Sequence, residues 1–222
     1  MVCISPHHAQ YFEEMYGIND AVSIDIPVRT WEYARNDVPK VSKRCIFTSM
    51  PDRGAMQLHA VWPLIHREVP EASLVITSDW RLWADWATEH LTKEYRLAYA
   101  PYPNVTYRGA VKRAELVDIQ LSADLHLYPS IFEEQFCIAV AESQVAGAFP
   151  ISNDIGALST TNMGRVIHGS ADDPAWREVF VRNAVELLTD PKLSQKQEWV
   201  REVARKRFSV ERIIGKWEDV FE

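Results

Sequence analysis

Between Leu125 and Leu158 the chain leaves itself few ways to fold. Leu-His-Leu-Tyr at 125–128 is a short apolar run, Pro129 stops it, an apolar helical stretch over 136–146 ends at Gly147, and Phe-Pro-Ile at 149–151 opens a second strand. A strand, a turn, a helix, a glycine stop and another strand make a βαβ unit, and its crossover helix obliges the two strands to run parallel. The pattern recurs. Strands are read at 44–48, 74–77, 105–109 and 164–169, and helices at 55–68, 112–121, 173–188 and 193–207. Alternation at least five times over predicts an α/β chain: a Rossmann-like, doubly wound parallel sheet covered by helices on both faces. Ligands on such sheets bind outside the carboxyl ends of the strands. Arg53, Gly109 to Val111, Ser130 to Ile138 and Glu142 all fall just after strands or on the helices those strands launch.

Composition narrows the function. The chain has 222 residues, 47% hydrophobic and 25% charged, which is ordinary for a soluble globular protein with one sizeable core. No run approaches the roughly 18 apolar residues of a membrane span, and no charged leader precedes an apolar stretch at the start, so neither a span nor a secretion signal is expected. Cys3, Cys45 and Cys137 lie among apolar neighbours without metal-ligand spacing, as buried thiols in a reducing compartment would; the cytoplasm is expected. A formal charge of −7 argues against a nucleic-acid partner, which needs a basic face. A bound nucleotide needs only a local positive site.

Two carboxylates frame the organising helix. Glu134 is placed at its mouth and Glu142 eight residues on, roughly 12 Å along a continuous helix at ~1.5 Å per residue. Around them stand Tyr-Pro-Ser at 128–130, Ala-Gly at 146–147 and Phe-Pro-Ile at 149–151. This combination resembles the donor-binding signature of the retaining, nucleotide-sugar-dependent glycosyltransferases of family 4, which have the GT-B fold. The resemblance covers nearly the whole chain and implies that it is the C-terminal, donor-binding half of such a fold. By the same resemblance Glu134 contacts the transferred sugar and Glu142 the ribose hydroxyls. Arg53, before Gly54 in the turn after the 44–48 strand, takes the place of the family's diphosphate-binding cation, and its planar fork suits phosphate oxygens; the plain alternative is an exposed arginine in a turn. The backbone of Gly109, Ala110 and Val111 lies against the base. Ser49, Ser130, Gln135, Phe136, Cys137 and Ile138 complete the implied donor site. Two departures stand out. The family's common glycines after the first Glu are Gln135 and Cys137 here, and Ser49 stands where many relatives carry a second cation.

The resemblance further implies transfer of a sugar from a UDP- or GDP-sugar to an unknown acceptor with retention, with no metal or other cofactor. Residues 1–28 read as the end of an acceptor domain and its linker, 29–208 as the donor-binding domain, and 209–222 as the helix that crosses back. Competing readings are a nucleotide-sugar-binding subunit inactive without a partner, and an interaction protein that uses its tryptophans and terminal helix.

The remaining features are weighed against plainer roles. Ser5 and Pro6 suit the cap and first turn of a helix. Residues 29–43 show no period and read as a surface loop. Trp80, Trp83 and Trp86 share one helical face, read as core or partner contact. His7 and His8 are adjacent and diverge on a helix, so no metal site is expected. His126 alternates with apolar residues and reads as a hydrogen-bonded core residue, and Glu133 as solvated. Ser209 suits the cap of a last helix whose Ile213, Ile214, Trp217 and Phe221 form an apolar stripe, open to cover by a second copy in a homodimer or by a separate chain carrying the first domain.

Overall fold

The computed structural model describes residues 1–82, 89–102 and 104–222. A small unit opens the chain. Strands β1 (Val2–Cys3) and β2 (Val22–Ser23) pair in parallel, Val2 opposite Val22, on either side of helix α1 (Pro6–Tyr16). Ser5 caps α1 by accepting from the His8 N–H, with Pro6 in the first turn, as the sequence implied.

The main body is a six-stranded sheet of β3 (Arg44–Thr48), β4 (Ser73–Thr77), β5 (Val105–Tyr107), β6 (Leu125–Tyr128), β7 (Phe149–Asn153) and β8 (Arg165–Ile167). Every pairing is parallel, in the order β5-β4-β3-β6-β7-β8. The chain builds outward from β3 in one direction and then restarts beside it at β6, so the switch point of the sheet lies between the ends of β3 and β6. Both strands are buried on both faces, which accounts for their nearly unbroken apolar runs.

Helices α2 (Ala55–Glu68) and α7 (Pro174–Thr189) cover one face, where Phe47, Leu58, Trp62, Ile65, Leu125, Leu127 and Phe180 share the larger core. On the other face α4 (Arg113–Ser122), α5 (Ile138–Val145) and α8 (Leu193–Arg207) enclose Val117, Leu121, Ala141, Val145, Ala204 and Phe208. Helices α3 (Glu89–Tyr99) and α6 (Leu158–Thr161) complete the body, and α9 (Val210–Phe221) ends the chain. Ser209 caps α9 through the Arg212 N–H, yet only Ile213 of its apolar stripe is buried; Ile214, Trp217 and Phe221 are exposed.

Several expectations change, among them the strand read at 164–169, which is confined to Arg165–Ile167. Residues 29–43 are not merely a surface loop. They contain a short 3-10 turn, Thr30–Tyr33, and Tyr33 is fully buried in the second core beside Val28. Lys40 also reaches inward, donating to the Ala123 and Gly147 carbonyls at the ends of α4 and α5. Isolated anchors on irregular backbone leave no period to read. Helix α5 begins at Ile138 rather than 136, because Cys137 has φ 69° and ψ 75°, a left-handed conformation that a right-handed helix cannot include. The strand at 105–109 ends at Tyr107, two residues before Gly109 turns the chain at φ 70°. Of the tryptophan stripe, Trp80 lies in the 3-10 turn Trp80–Leu82 with its ring 6.3 Å from Tyr95; Trp83 and Trp86 lie outside the described residues. His126 is buried and hydrogen-bonded to Ser143 Oγ at 2.8 Å, and the three cysteines are buried and free.

Candidate functional site

A cavity of about 390 Å3 opens at the switch point, walled by Ser49, Arg53, Tyr128, Phe132, Glu134, Gln135, Phe136, Cys137 and Ile138, with Ile4 and Ile26 from the opening segment. Seven residues singled out from sequence thus meet in one place. The larger cleft of about 630 Å3 along α1 is lined by Glu13 and Glu14 and no cation, so it does not suit an anionic ligand.

Arg53 is the cation of the cavity. It sits in the 3-10 turn Pro51–Arg53, and its side chain is only 11% exposed. Its Nη1 meets Asp52 Oδ2 at 2.7 Å, its Nε stands 3.5 Å from Glu134 Oε1, and its guanidinium carbon lies 3.3 Å from the centre of the Phe132 ring. Stacking on the aromatic face holds the guanidinium in place at the cavity wall. The plain alternative of an exposed turn arginine is excluded.

Glu134 stands beside Arg53 on the cavity wall. Burial pushes its carboxyl above the usual range, while a hydrogen bond from the Tyr128 hydroxyl and the charge of Arg53 pull it back. The backbone around it is seated tightly. Ala157 N–H donates to the Glu134 carbonyl at 2.7 Å, and Gly156, at φ 56°, comes so close that a Cβ there would stand 2.5 Å from that carbonyl oxygen. Gly54 does the same for the arginine turn: at φ 116°, its Cβ would lie 2.1 Å from the Pro129 carbonyl oxygen. Only glycine fits either place. The two loops that end β3 and β6 therefore lie in direct backbone contact.

Gln135 adds an acceptor. Its side-chain Oε1 is buried with no hydrogen-bond partner among the described residues, while its carbonyl takes the Ser5 hydroxyl and so ties the opening segment to the cavity wall. A buried acceptor without a partner is costly, and a bound donor would relieve it. Ser130 does not line the cavity. It is buried, its Oγ accepts from Phe132 N–H, and its carbonyl accepts from Asn153 Nδ2, so it shapes the loop.

A second cavity, about 360 Å3, adjoins the first across Ser49 and is walled by Thr48, Met50, Thr77, Leu82, Gly109, Val111 and Leu116. The loop at 109–111 is fixed from beneath by Asp79, which is fully buried. Asp79 accepts from Ala110 N–H at 3.3 Å and Thr92 Oγ1 at 2.9 Å, and it pairs with Arg81. Burial works against its charge, but these donors hold the carboxyl well below the usual range.

Glu142 lies apart from both walls. It sits on α5, whereas Glu134 precedes that helix by four residues, so the two carboxylates do not share one continuous helix and the rise per residue behind the 12 Å figure does not apply between them. Glu142 Oε1 is 2.7 Å from Arg113 Nη1; Arg113 also reaches Glu32 Oε2 at 2.7 Å and the Tyr33 hydroxyl at 3.2 Å. Sequence reading passed over Arg113, although a signal was there. A cation in the first turn of a helix opposes the dipole, so nearby carboxylates had to compensate it. Tyr128, Phe132, Asp79 and Gly156 carry no such signal. Glu133 is more than half exposed and faces His7 at 3.3 Å. No cluster of three or more His, Cys, Asp or Glu suited to a metal occurs among the described residues.

A doubly wound parallel sheet with a paired cavity at its switch point defines a Rossmann-like nucleotide-binding class of fold. Residues 50–207 match the family model described as "Glycosyl transferases group 1". The chain belongs to the group 1 glycosyl transferases. A search of curated protein sequences returns no match. Among solved structures, it is similar to a glycosyltransferase from Rickettsia africae ESF-5, at 16% identity and a TM-score of 0.79, over 99% of this chain and 62% of that one. It is equally similar to Anabaena Alr3699/HepE, solved in complex with UDP and glucose, at 16% identity and a TM-score of 0.79, over 99% and 62% of the two chains. Sucrose-phosphate synthase (tll1590) from Thermosynechococcus elongatus matches at 17% identity and a TM-score of 0.75, over 99% of this chain and 57% of that one. The fold is that of the Rossmann-like half of a GT-B glycosyltransferase. The chain spans about three fifths of the length of these proteins.

Proposed function

We propose that the paired cavities hold a nucleotide-diphosphate sugar and that the chain supplies the donor site of a retaining glycosyl transfer. One observation carries this reading: a buried, aromatic-stacked Arg53 and the backbone of residues 109–111 face two cavities that adjoin at Ser49. The base lies against residues 109–111 and the diphosphate against Arg53. Departure from the anomeric carbon leaves a nucleoside diphosphate with added negative charge. Arg53 and the N–H groups that open α5, around residues 136–138, stabilise that charge. Glu134 and the unpartnered Gln135 oxygen take sugar hydroxyls, which is positioning rather than acid–base chemistry. By the family resemblance the ribose falls to Glu142, which lines neither cavity but follows Ile138 by one turn of α5; Oε2 is the oxygen for it, since Oε1 is engaged by Arg113. No metal or cofactor enters this scheme, and the buried free thiols fit a reducing cytoplasm.

A second reading, in which the chain binds the donor but turns it over only with another polypeptide, is favoured by the exposed Ile214, Trp217, Val220 and Phe221 of α9. The deciding experiment is a thermal-shift panel of UDP, GDP, ADP, UDP-glucose and GDP-mannose, with Arg53→Ala and Glu142→Ala as controls. Ligand at 100 times its Kd stabilises by about 2.7 kcal/mol. Stabilisation by one nucleotide class, lost in both variants, is the expected result; no shift at millimolar ligand sinks the donor-site reading. Donor turnover by the chain alone would then rule out the second reading.

A further inference from the structure

Tyr128 has no assigned part in sugar transfer, yet its hydroxyl meets both Ser49 and Glu134 at the cavity. Its ring is fixed in the core, stacked 5.8 Å from Phe47 and edge-on 5.3 Å from His126, and no part of the residue is exposed to solvent. Only the hydroxyl emerges at the cavity wall. There it donates to Glu134 Oε1 at 2.8 Å. A phenol has one proton, and once that proton points at a carboxylate the oxygen can only accept. Ser49 Oγ, 3.0 Å away, must therefore donate to it.

Ser49 is one of the three places, with Gln135 and Cys137, where this chain departs from the resembling pattern, and its hydroxyl is taken up by the Tyr128 oxygen. Ser49, committed to Tyr128, is not free to act on a phosphate. We propose that Tyr128 is a positioning residue: with Ser49 donating to its hydroxyl, it holds the Glu134 carboxylate toward the cavity, so that the departure at Ser49 acts on the sugar through Tyr128 and Glu134 rather than by touching it. The sugar part of this inference rests on the donor-site reading; the hold on Glu134 does not.

Tyr128→Phe keeps the buried ring and removes only the hydroxyl. Two measurements bear on it. The first is a 13C titration of the Glu134 carboxyl in the unliganded protein, with the signal assigned by its loss in Glu134→Gln. Deleting a donor to the ionised form should raise the midpoint by about half a pH unit or more, with a smaller rise in Ser49→Ala. The second compares Kd for UDP and GDP with Kd for UDP-glucose and GDP-mannose. The variant should bind the free nucleotide within about twofold of wild type and lose about tenfold on the sugar conjugate, the size of one hydrogen bond to a charged group. An unmoved Glu134 midpoint would overturn the inference. Equal losses on nucleotide and conjugate together with a lowered Tm would overturn it too, leaving Tyr128 a packing residue. If the midpoint rises but wild type binds neither ligand class, the hold on Glu134 stands and the donor-site reading, with the sugar half of the inference, falls.

Discussion

Glu134 and Glu142 stand eight positions apart in the chain and are held by opposite means. Glu142 and its neighbour Glu32 are met by the guanidinium of Arg113 at 2.7 Å each, with the Tyr33 hydroxyl beside them. Glu134 has a neutral hydroxyl at 2.8 Å and its cation only at 3.5 Å, on an arginine that Asp52 already engages. The first corner is compensated and the second is not. A carboxylate that is buried with weak compensation stores free energy that a ligand can release, so Glu134 is the group poised to respond to a sugar. Glu142 is the group poised to stay still.

The sharpest way to break this contrast is through backbone alone. Gly156→Ala puts a methyl at φ 56° within 2.5 Å of the Glu134 carbonyl oxygen. It should cost about 3 kcal/mol in urea unfolding and abolish the sugar-dependent part of binding, while leaving the Glu142 corner intact. Next in size is Arg113→Met, which strands Glu142 and leaves Glu32 with Arg29 alone, 3.2 Å away. Partial exposure of these groups limits the loss to about 2 kcal/mol, and raised salt should recover part of it, since screening eases the repulsion left behind. Should Arg113→Met prove silent, the compensated corner is misread.

Glu134→Gln tests the other corner by pH. Because the folded-state pKa of Glu134 is raised, the folded protein holds that proton more tightly than the unfolded chain. The associated stability is fully present below the unfolded value of about 4.3 and is lost as pH rises through the folded value. Melting curves from pH 4 to 8 should therefore show wild type falling relative to Glu134→Gln, with the variant at least as stable near pH 7. A constant gap would remove the claim of poor compensation. The smallest effect belongs to Tyr33→Phe, which loses the 2.6 Å bond to Gln120 and the contact from Arg113. It should cost about 1 kcal/mol in urea unfolding and, unlike Tyr128→Phe, leave sugar discrimination unchanged.

The contrast also marks what could be read in the chain beforehand. Strand 44–48, helix 55–68, strand 125–128 and helix 193–207 are found at the bounds the sequence implied, because each carries a clear period or an apolar run closed by a turn. Arg53, Glu134 and the residues after it could be placed in one cavity because parallel sheets gather strand ends at the switch point. The parts that hold them could not. Tyr33 is buried from irregular backbone, Tyr128 reads as one more apolar strand position until its hydroxyl is placed, and the left-handed turn at Cys137 has no glycine to announce it. Arg113 was legible only as a cation on the wrong end of a helix.

The contact between Gly54 and the Pro129 carbonyl bears on how this cavity could be remodelled. With a Cβ at 2.1 Å excluded, the wall that joins the ends of β3 and β6 has no slack, and enlarging or reshaping it means moving two loops together. The far side is different: Ile138 lines the same cavity and is exposed, whereas Phe132, though exposed, carries the Arg53 stack and is tied by its backbone to Ser130. A mutant library aimed at a new ligand should therefore concentrate its diversity at 138 and leave 54 and 132 alone, since the cavity can be tailored from one side only.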